Sequence, residues 1–214
     1  MLLRNNKPKI FCIGSGKTGT TSVEKALLDL GYELGNQAKG EMLLNEYINR
    51  NFKAIVDFSK TAEAFQDAPF CFQHTYMALD QYFPNAKFIL TERDSDTQWY
   101  QSLVSFHTKL FGQGERVPTW EDLNLATYRF KGYVAEVRRK IFGISELENP
   151  YDENKLKHYY NTHNASVKDY FKNKSNLLVL NVSDDNSYLK LCEFIGRKPL
   201  YNKFPWENKT SDIK

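Results

Sequence analysis

Near its N-terminus the chain runs from an apolar segment straight into a glycine. Lys9, Ile10, Phe11, Cys12, Ile13 and Gly14 lead into a polar loop, Ser15 to Gly19, and then Val23, Ala26, Leu27 and Leu30 recur at helical spacing before Gly31. An apolar run this short, without polar alternation, reads as a strand buried on both faces. The glycine after Leu30 closes the helix. Strand, glycine loop and helix in immediate succession commit the chain to an α/β architecture with a parallel sheet, in which ligands bind beyond the carboxyl ends of the strands.

The remaining pattern fits that architecture. Residues 87–91 (Lys-Phe-Ile-Leu-Thr) and 176–182 (Asn-Leu-Leu-Val-Leu-Asn-Val) are further core strands, and 32–34 is a short strand. Helices are predicted over 41–49, 72–83, 96–110 and 154–172, and from Asp184 or Asp185 to Gly196. A long helix capped by Thr119 or Asp122 is read from the stripe Leu123, Ala126, Phe130, Tyr133, Val137 and Ile141. Residues 54–69 carry no clear period. The expected organisation is one domain over 1–214, a three-layer fold with a central parallel sheet flanked by helices and a helical insertion at about 105–152.

Composition narrows the class of partner. There are 29 Lys and Arg against 26 Asp and Glu, a formal charge of +3. That excess is too small to argue for nucleic acid or a membrane surface, yet it allows a local anion pocket. No run of about 18 apolar residues occurs, so no membrane span is expected. Residues 1–9 lack an apolar run of signal-peptide length, and a cytoplasmic address follows by default. Asn-x-Ser/Thr triplets at Asn164, Asn181 and Asn208 are then chance matches. Cys12, Cys71 and Cys192 have neither metal nor disulfide spacing and read as reduced thiols.

Two strand ends carry chemistry. The loop Gly14-Ser15-Gly16-Lys17-Thr18-Gly19-Thr20-Thr21-Ser22 combines glycines that let backbone N–H groups converge, a helix N-terminus, several hydroxyls and a lysine. These are the parts of a phosphate or sulfate cradle. A tight turn with a hydroxyl cap would need neither the lysine nor three consecutive hydroxyls. A nucleoside-triphosphate loop, G-x4-G-K-[ST], requires glycine five places before Gly16, where Phe11 stands. Gly14, Gly16 and Gly19 match G-x-G-x-x-G literally, but that dinucleotide pattern leaves Lys17 and the hydroxyls unexplained and expects an acid where only Glu33 is near. The second strand end is Glu92-Arg93-Asp94, followed on the next helix by Ser102. A guanidinium grips phosphate through two parallel bonds and a hydroxyl adds a third.

The first loop resembles the 5′-phosphosulfate-binding loop of sulfotransferases that use 3′-phosphoadenosine-5′-phosphosulfate (PAPS). There a lysine is followed by a small hydroxyl residue, glycine and two threonines, as at Lys17, Thr18, Gly19, Thr20 and Thr21. Arg93 and Ser102 are similar to that family's 3′-phosphate signature. The usual serine position, eight after the arginine, holds Gln101, and Trp99-Tyr100-Gln101-Ser102 places the match one residue later. His-Asn-Ala-Ser-Val-Lys-Asp-Tyr-Phe (163–171), Leu-Leu-Val-Leu-Asn-Val and Leu-Cys-Glu-Phe-Ile-Gly resemble the C-terminal part of bacterial-type members.

The resemblance implies a P-loop-like fold, a nucleotide donor, a small-molecule or carbohydrate acceptor and no catalytic metal. It implies that Gly16, Lys17, Thr18, Gly19, Thr20 and Thr21 hold the phosphosulfate, with Lys17 on the bridging oxygen, and that Arg93 and Ser102 hold the 3′-phosphate. The family's histidine before the arginine strand corresponds to His74, the candidate general base, with Asp57, Asp67 and Glu41 as rivals. His107 and His163 read as structural and His158 as surface. Residues 111–118 are a candidate acceptor gate, and Asn208 and Lys209 read first as a solvated tail, with a fold over the nucleotide as the alternative. The competing functions are a Mg-dependent P-loop kinase and a non-catalytic nucleotide-binding protein. Nothing in the sequence specifies the acceptor or the oligomeric state.

Overall fold

The computed structural model describes residues 8–205. Asn208, Lys209 and most of the N-terminal stretch read above lie outside the described residues. Four strands, β1 (Ile10–Cys12), β2 (Ala64–Phe65), β3 (Lys87–Thr91) and β4 (Leu177–Leu180), form an all-parallel sheet in the order β2-β1-β3-β4. The helices are α1 (Thr20–Asp29), α2 (Gln37–Glu41), α3 (Leu44–Ile48), α4 (Phe52–Phe58), α5 (Thr75–Tyr82), α6 (Asp96–Phe111), α7 (Trp120–Leu125), α8 (Tyr133–Lys140), α9 (Glu153–Phe171) and α10 (Ser187–Ile195).

The period-2 alternation of β1 explains the layers. Ile10 and Cys12 point to one face of the sheet and pack with Val23, Ala26 and Leu27 of α1 and Leu191, Cys192 and Ile195 of α10. Phe11 and Ile13 point to the other, against residues of α4, α5 and α9. Both faces are thus sealed, which is why the strand reads as an unbroken apolar run. Phe11 lies 5.6 Å, centroid to centroid, from each of Phe65, Phe70 and Phe88. Truncating such a ring to alanine costs about 3–5 kcal/mol. A third apolar cluster gathers Trp99 and Leu103 of α6, Leu123 of α7, Tyr133 and Val134 of α8, and Leu156 and Tyr160 of α9.

The structure corrects several expected elements. The long helix from Thr119 is two helices. Ala126 leaves the helical region (φ −62°, ψ 132°), Thr127 bridges Lys131 antiparallel, and Gly132 starts α8 at φ 83°, a left-handed conformation that glycine adopts at little cost. The helix over 41–49 is likewise divided between α2 and α3, and the strand over 32–34 shrinks to one bridge, Leu34 to Ala64. Among the described residues, no helix is long and apolar enough to cross a membrane.

Strands β2 and β3 flank β1 on opposite sides. The chain leaves β1 to form β2 on one side and then returns past β1 to form β3 on the other, so the strand order reverses at β1 and a crevice opens at the carboxyl ends of β1 and β3. Residues 14–22 and 92–95 meet in that crevice.

Candidate active site

The loop after β1 is shaped by close contacts with β3. A Cβ on Gly14 would fall 2.1 Å from Thr91 Oγ1, so no side chain fits there. Thr18 is fully buried, its hydroxyl donating to the Ser15 carbonyl (2.6 Å) and sharing a 2.5 Å bond with Thr91 Oγ1. The Thr18 hydroxyl thus pins the loop to the sheet, and Thr18 does not line the cavity described below. Gly19 stands at φ 96°, where a Cβ would also lie 2.3 Å from Val182. It begins α1, whose first turn has no side-chain cap and no acidic residue. The N–H groups of Thr20 and Thr21 are therefore left for an anion, those of Ser22 and Val23 being bonded to the Gly19 carbonyl.

Arg93 and Trp99 hold this loop from the far side. Arg93 Nε donates to the Lys17 carbonyl (2.8 Å), and the Trp99 indole donates to the Gly16 carbonyl (2.9 Å). The Arg93 amide donates to the Tyr160 hydroxyl (3.0 Å), and the Trp99 and Tyr160 rings stack at 4.6 Å. The Arg93 Nη atoms have no protein acceptor among the described residues.

These parts line one cavity of about 780 Å³. Gly16, Lys17, Gly19, Thr20, Thr21, Arg93 and Ser102 all contribute to its wall. Lys17, at φ 73°, carries its ammonium 3.6 Å from the Phe106 ring centroid and has no carboxylate partner. Burial, and then the Arg93 charge, lower its pKa to about 8, with Asp67 opposing. Two cations face the same space, neither in an ion pair with a carboxylate among the described residues, although Asp67 and Glu41 also line the cavity, and a buried charge without a direct counter-charge is costly. The cradle fits an anion.

His74 is placed elsewhere. It is exposed, precedes α5 at φ 66°, and does not line the cavity. Asp57 is tied to Lys53 and Lys60 on the surface of α4. Asp67 and Glu41 do line the cavity. Asp67, at φ 58°, accepts from the Thr20 hydroxyl (3.1 Å) through Oδ1 and from Gln37 (3.0 Å) through Oδ2. Burial, and then the nearby Glu41 carboxylate, push it up to about 7. Glu41 is also pushed up by burial and is paired with Arg129. Of residues 111–118, Phe111 lines the cavity and the others do not.

His163 is buried, with Nε2 2.8 Å from the Ile13 carbonyl, and His158 is exposed. His107 was expected to be structural, yet it lines the cavity together with Arg138, a residue that sequence reasoning did not single out. Arg138 lies within Arg138-Arg139-Lys140 at the end of a helix, a position where basic residues ordinarily serve the helix dipole. Only tertiary burial distinguishes it from its neighbours.

An uncapped helix N-terminus and two cations outside any ion pair among the described residues thus lie together at the crevice of a parallel sheet on a P-loop-like fold. The chain belongs to the sulfotransferase family: the profile of the sulfotransferase domain matches residues 9–213. The fold is similar to that of a sulfotransferase from Alicyclobacillus acidocaldarius in its crystal structure, with a TM-score of 0.54, 15% identity, and coverage of 94% of this chain and 86% of that one. No curated protein sequence matches the chain.

Proposed function

We propose that this transferase moves a sulfuryl group from PAPS to a hydroxyl, or an amine, of a small-molecule or carbohydrate acceptor by in-line displacement. The observation that carries the reading is the pairing of Lys17 and Arg93, both without carboxylate partners, at the open N-terminus of α1. PAPS, when bound, supplies an activated sulfuryl group on its 5′-phosphate. The N–H groups from Gly19 to Thr21 and the Thr21 hydroxyl receive the phosphosulfate, while the Thr20 hydroxyl proton is held by Asp67. Lys17 stabilises the charge that grows on the bridging oxygen as the sulfur–oxygen bond breaks. Fixed donors aimed at developing charge are an effective catalytic device, and a sulfuryl in flight carries less negative charge than a phosphoryl, so a metal is not needed. Arg93 and Ser102 hold the 3′-phosphate and fix the line of attack.

The proton of the acceptor needs a base within reach. We assign that role to Asp67 rather than His74. Asp67 lines the cavity, bonds Thr20 of the cradle and titrates at about 7, near the pH at which a base works best. We assign the acceptor side to residues within 105–152, of which Phe106, Tyr128, Tyr133, Val134 and Phe142 line the cavity.

Calorimetric titration with 3′-phosphoadenosine-5′-phosphate (PAP), without Mg²⁺, tests the donor. Arg93→Ala is expected to weaken binding by about 1.5–3 kcal/mol, the worth of a charged hydrogen bond. No PAP binding, with ATP bound only in Mg²⁺, would instead support a kinase.

A further inference from the structure

Arg138 is 1% exposed, yet it lines the cavity. Among the described residues no carboxylate pairs with it, and the groups that act on its charge are Tyr151 and Tyr100. One Nη donates to His107 Nδ1 (3.0 Å), and the guanidinium lies 4.6 Å from the Tyr151 ring centroid and 5.1 Å from that of Phe142. Its Nε is buried without an acceptor. Other arginines in this part of the chain are paired: Arg129 with Glu41, Arg139 with Glu136 and Glu146, and Arg116 with Asp122. Burying a guanidinium without an acid is costly enough to require a reason.

The groups around it keep that charge unneutralised. A guanidinium only donates, so His107 Nδ1 accepts and the ring proton sits on Nε2. His107 is then neutral and cannot act as a base through Nε2, and burial together with the Arg138 and Lys17 charges holds its pKa well below the usual range. Tyr151 OH, 2.8 Å from the same Nδ1, is a second neutral partner. The cluster therefore presents one net positive charge. Leu103, Phe106, Val134, Val137 and Phe142 give the same cavity an apolar wall.

We propose that Arg138, positioned by His107 and Tyr151, receives a monoanionic group of the acceptor, so that the acceptors of this enzyme are hydroxy acids. The carboxylate sits at Arg138, an apolar body lies along the wall, and the hydroxyl reaches Lys17 and Asp67. A single charge backed by neutral partners matches a carboxylate better than a phosphate dianion. This inference rests on the sulfuryl-transfer reading for the fate of the hydroxyl, but carboxylate binding does not depend on the donor.

The probes are para-hydroxybenzoate, para-hydroxyphenylacetate and para-hydroxyphenylpropanoate, each beside its neutral primary amide. Binding is measured by calorimetry with and without PAP, and turnover with PAPS. At least one acid is expected to bind about tenfold to a hundredfold tighter than its amide, the span for a charged hydrogen bond. Arg138→Met is expected to erase that preference through the acceptor KM, with PAP affinity unchanged within about twofold. Arg138→Lys, which keeps the charge but loses the fork, should retain part of it. Equal binding of acids and amides by the wild type, or no binding of any acid, overturns the proposal, and neither result requires a variant to fold. So does an Arg138→Met loss that falls equally on acid and amide. Acid preference without PAP binding would sink the donor assignment and leave the carboxylate site standing.

Discussion

Binding of PAP should take up a proton in alkaline buffer. Lys17 in the free protein titrates at about 8 because burial and the Arg93 charge both disfavour its ammonium form. A phosphate placed in the cradle reverses that preference, so the bound state holds the proton to higher pH. The sign follows: free Lys17 loses its charge as pH rises through about 8, and above that point binding must restore it. At about pH 9 roughly one free molecule in ten keeps the ammonium, so each binding event takes up about 0.9 proton, against about 0.1 at about pH 7. Affinity falls by about tenfold over the same interval, since only the protonated fraction is competent. At about pH 9 the ligand's phosphates, with a second pKa of about 6, are fully ionised and do not contribute, whereas at about pH 7 about a tenth of each is still protonated. Calorimetry in two buffers of different ionisation enthalpy reads the uptake directly. Lys17→Met should abolish it. Arg93→Ala should shift its midpoint to higher pH, because one of the two causes of the depression is gone. A wild-type protein that takes up no proton at about pH 9, or uptake that survives Lys17→Met, would refute the reasoning.

Other expectations follow from single contacts. Asp67→Asn should slow sulfuryl transfer to a hydroxy acid by about 10²–10⁴-fold, the usual worth of a general base, with PAP affinity kept, whereas His74→Ala should leave turnover within about twofold; the reverse pattern would return the base to His74. In the wild type, kcat/KM for PAPS, which reports the free enzyme, should rise with pH through about 7 as Asp67 loses its proton and fall again through about 8 as Lys17 does, and a profile without the acidic limb would remove Asp67 from the reaction. Trp99→Phe removes the indole bond to Gly16 and should lower unfolding free energy by about 0.5–1.5 kcal/mol in denaturant titration. Gly14→Ala should cost about 1–3 kcal/mol by overpacking against Thr91, and an unchanged unfolding midpoint would show that β1 and β3 can part.

Much of the architecture was legible because it rests on local pattern. β1 and β3 are buried apolar runs, β4 is an apolar run at the sheet edge with Val179 exposed, and α6 and α9 fall within a residue or two of their predicted ends. β2 was not legible, since two residues cannot display a period. The single long helix failed at Ala126 and Gly132 because the apolar stripe continues across both helices, which bury Leu123 and Tyr133 in one cluster. The two phosphate-type motifs did meet on one cavity, as their positions after β1 and β3 required. Asp67 and His74 are only seven positions apart, and both adopt left-handed backbone, so nothing local separated the one that faces the cavity from the one that faces solvent. Arg138 and His107 acquire their character from burial against Tyr151 and Phe142, residues distant in sequence.

The bonds from Trp99 and Arg93 to the carbonyls of Gly16 and Lys17 come from 83 and 76 positions downstream. In a peptide unit the oxygen and the amide hydrogen point opposite ways, so the Trp99 bond on the Gly16 oxygen aims the Lys17 amide hydrogen, while the Arg93 bond fixes the peptide whose Thr18 N–H closes on the Ser15 carbonyl. Part of the loop's shape is consequently written outside the loop. The nine residues from Gly14 to Ser22, moved alone onto another strand–helix corner, would carry their letters without their aim. A working transplant would need the end of β3 and the first turn of α6 to travel with them.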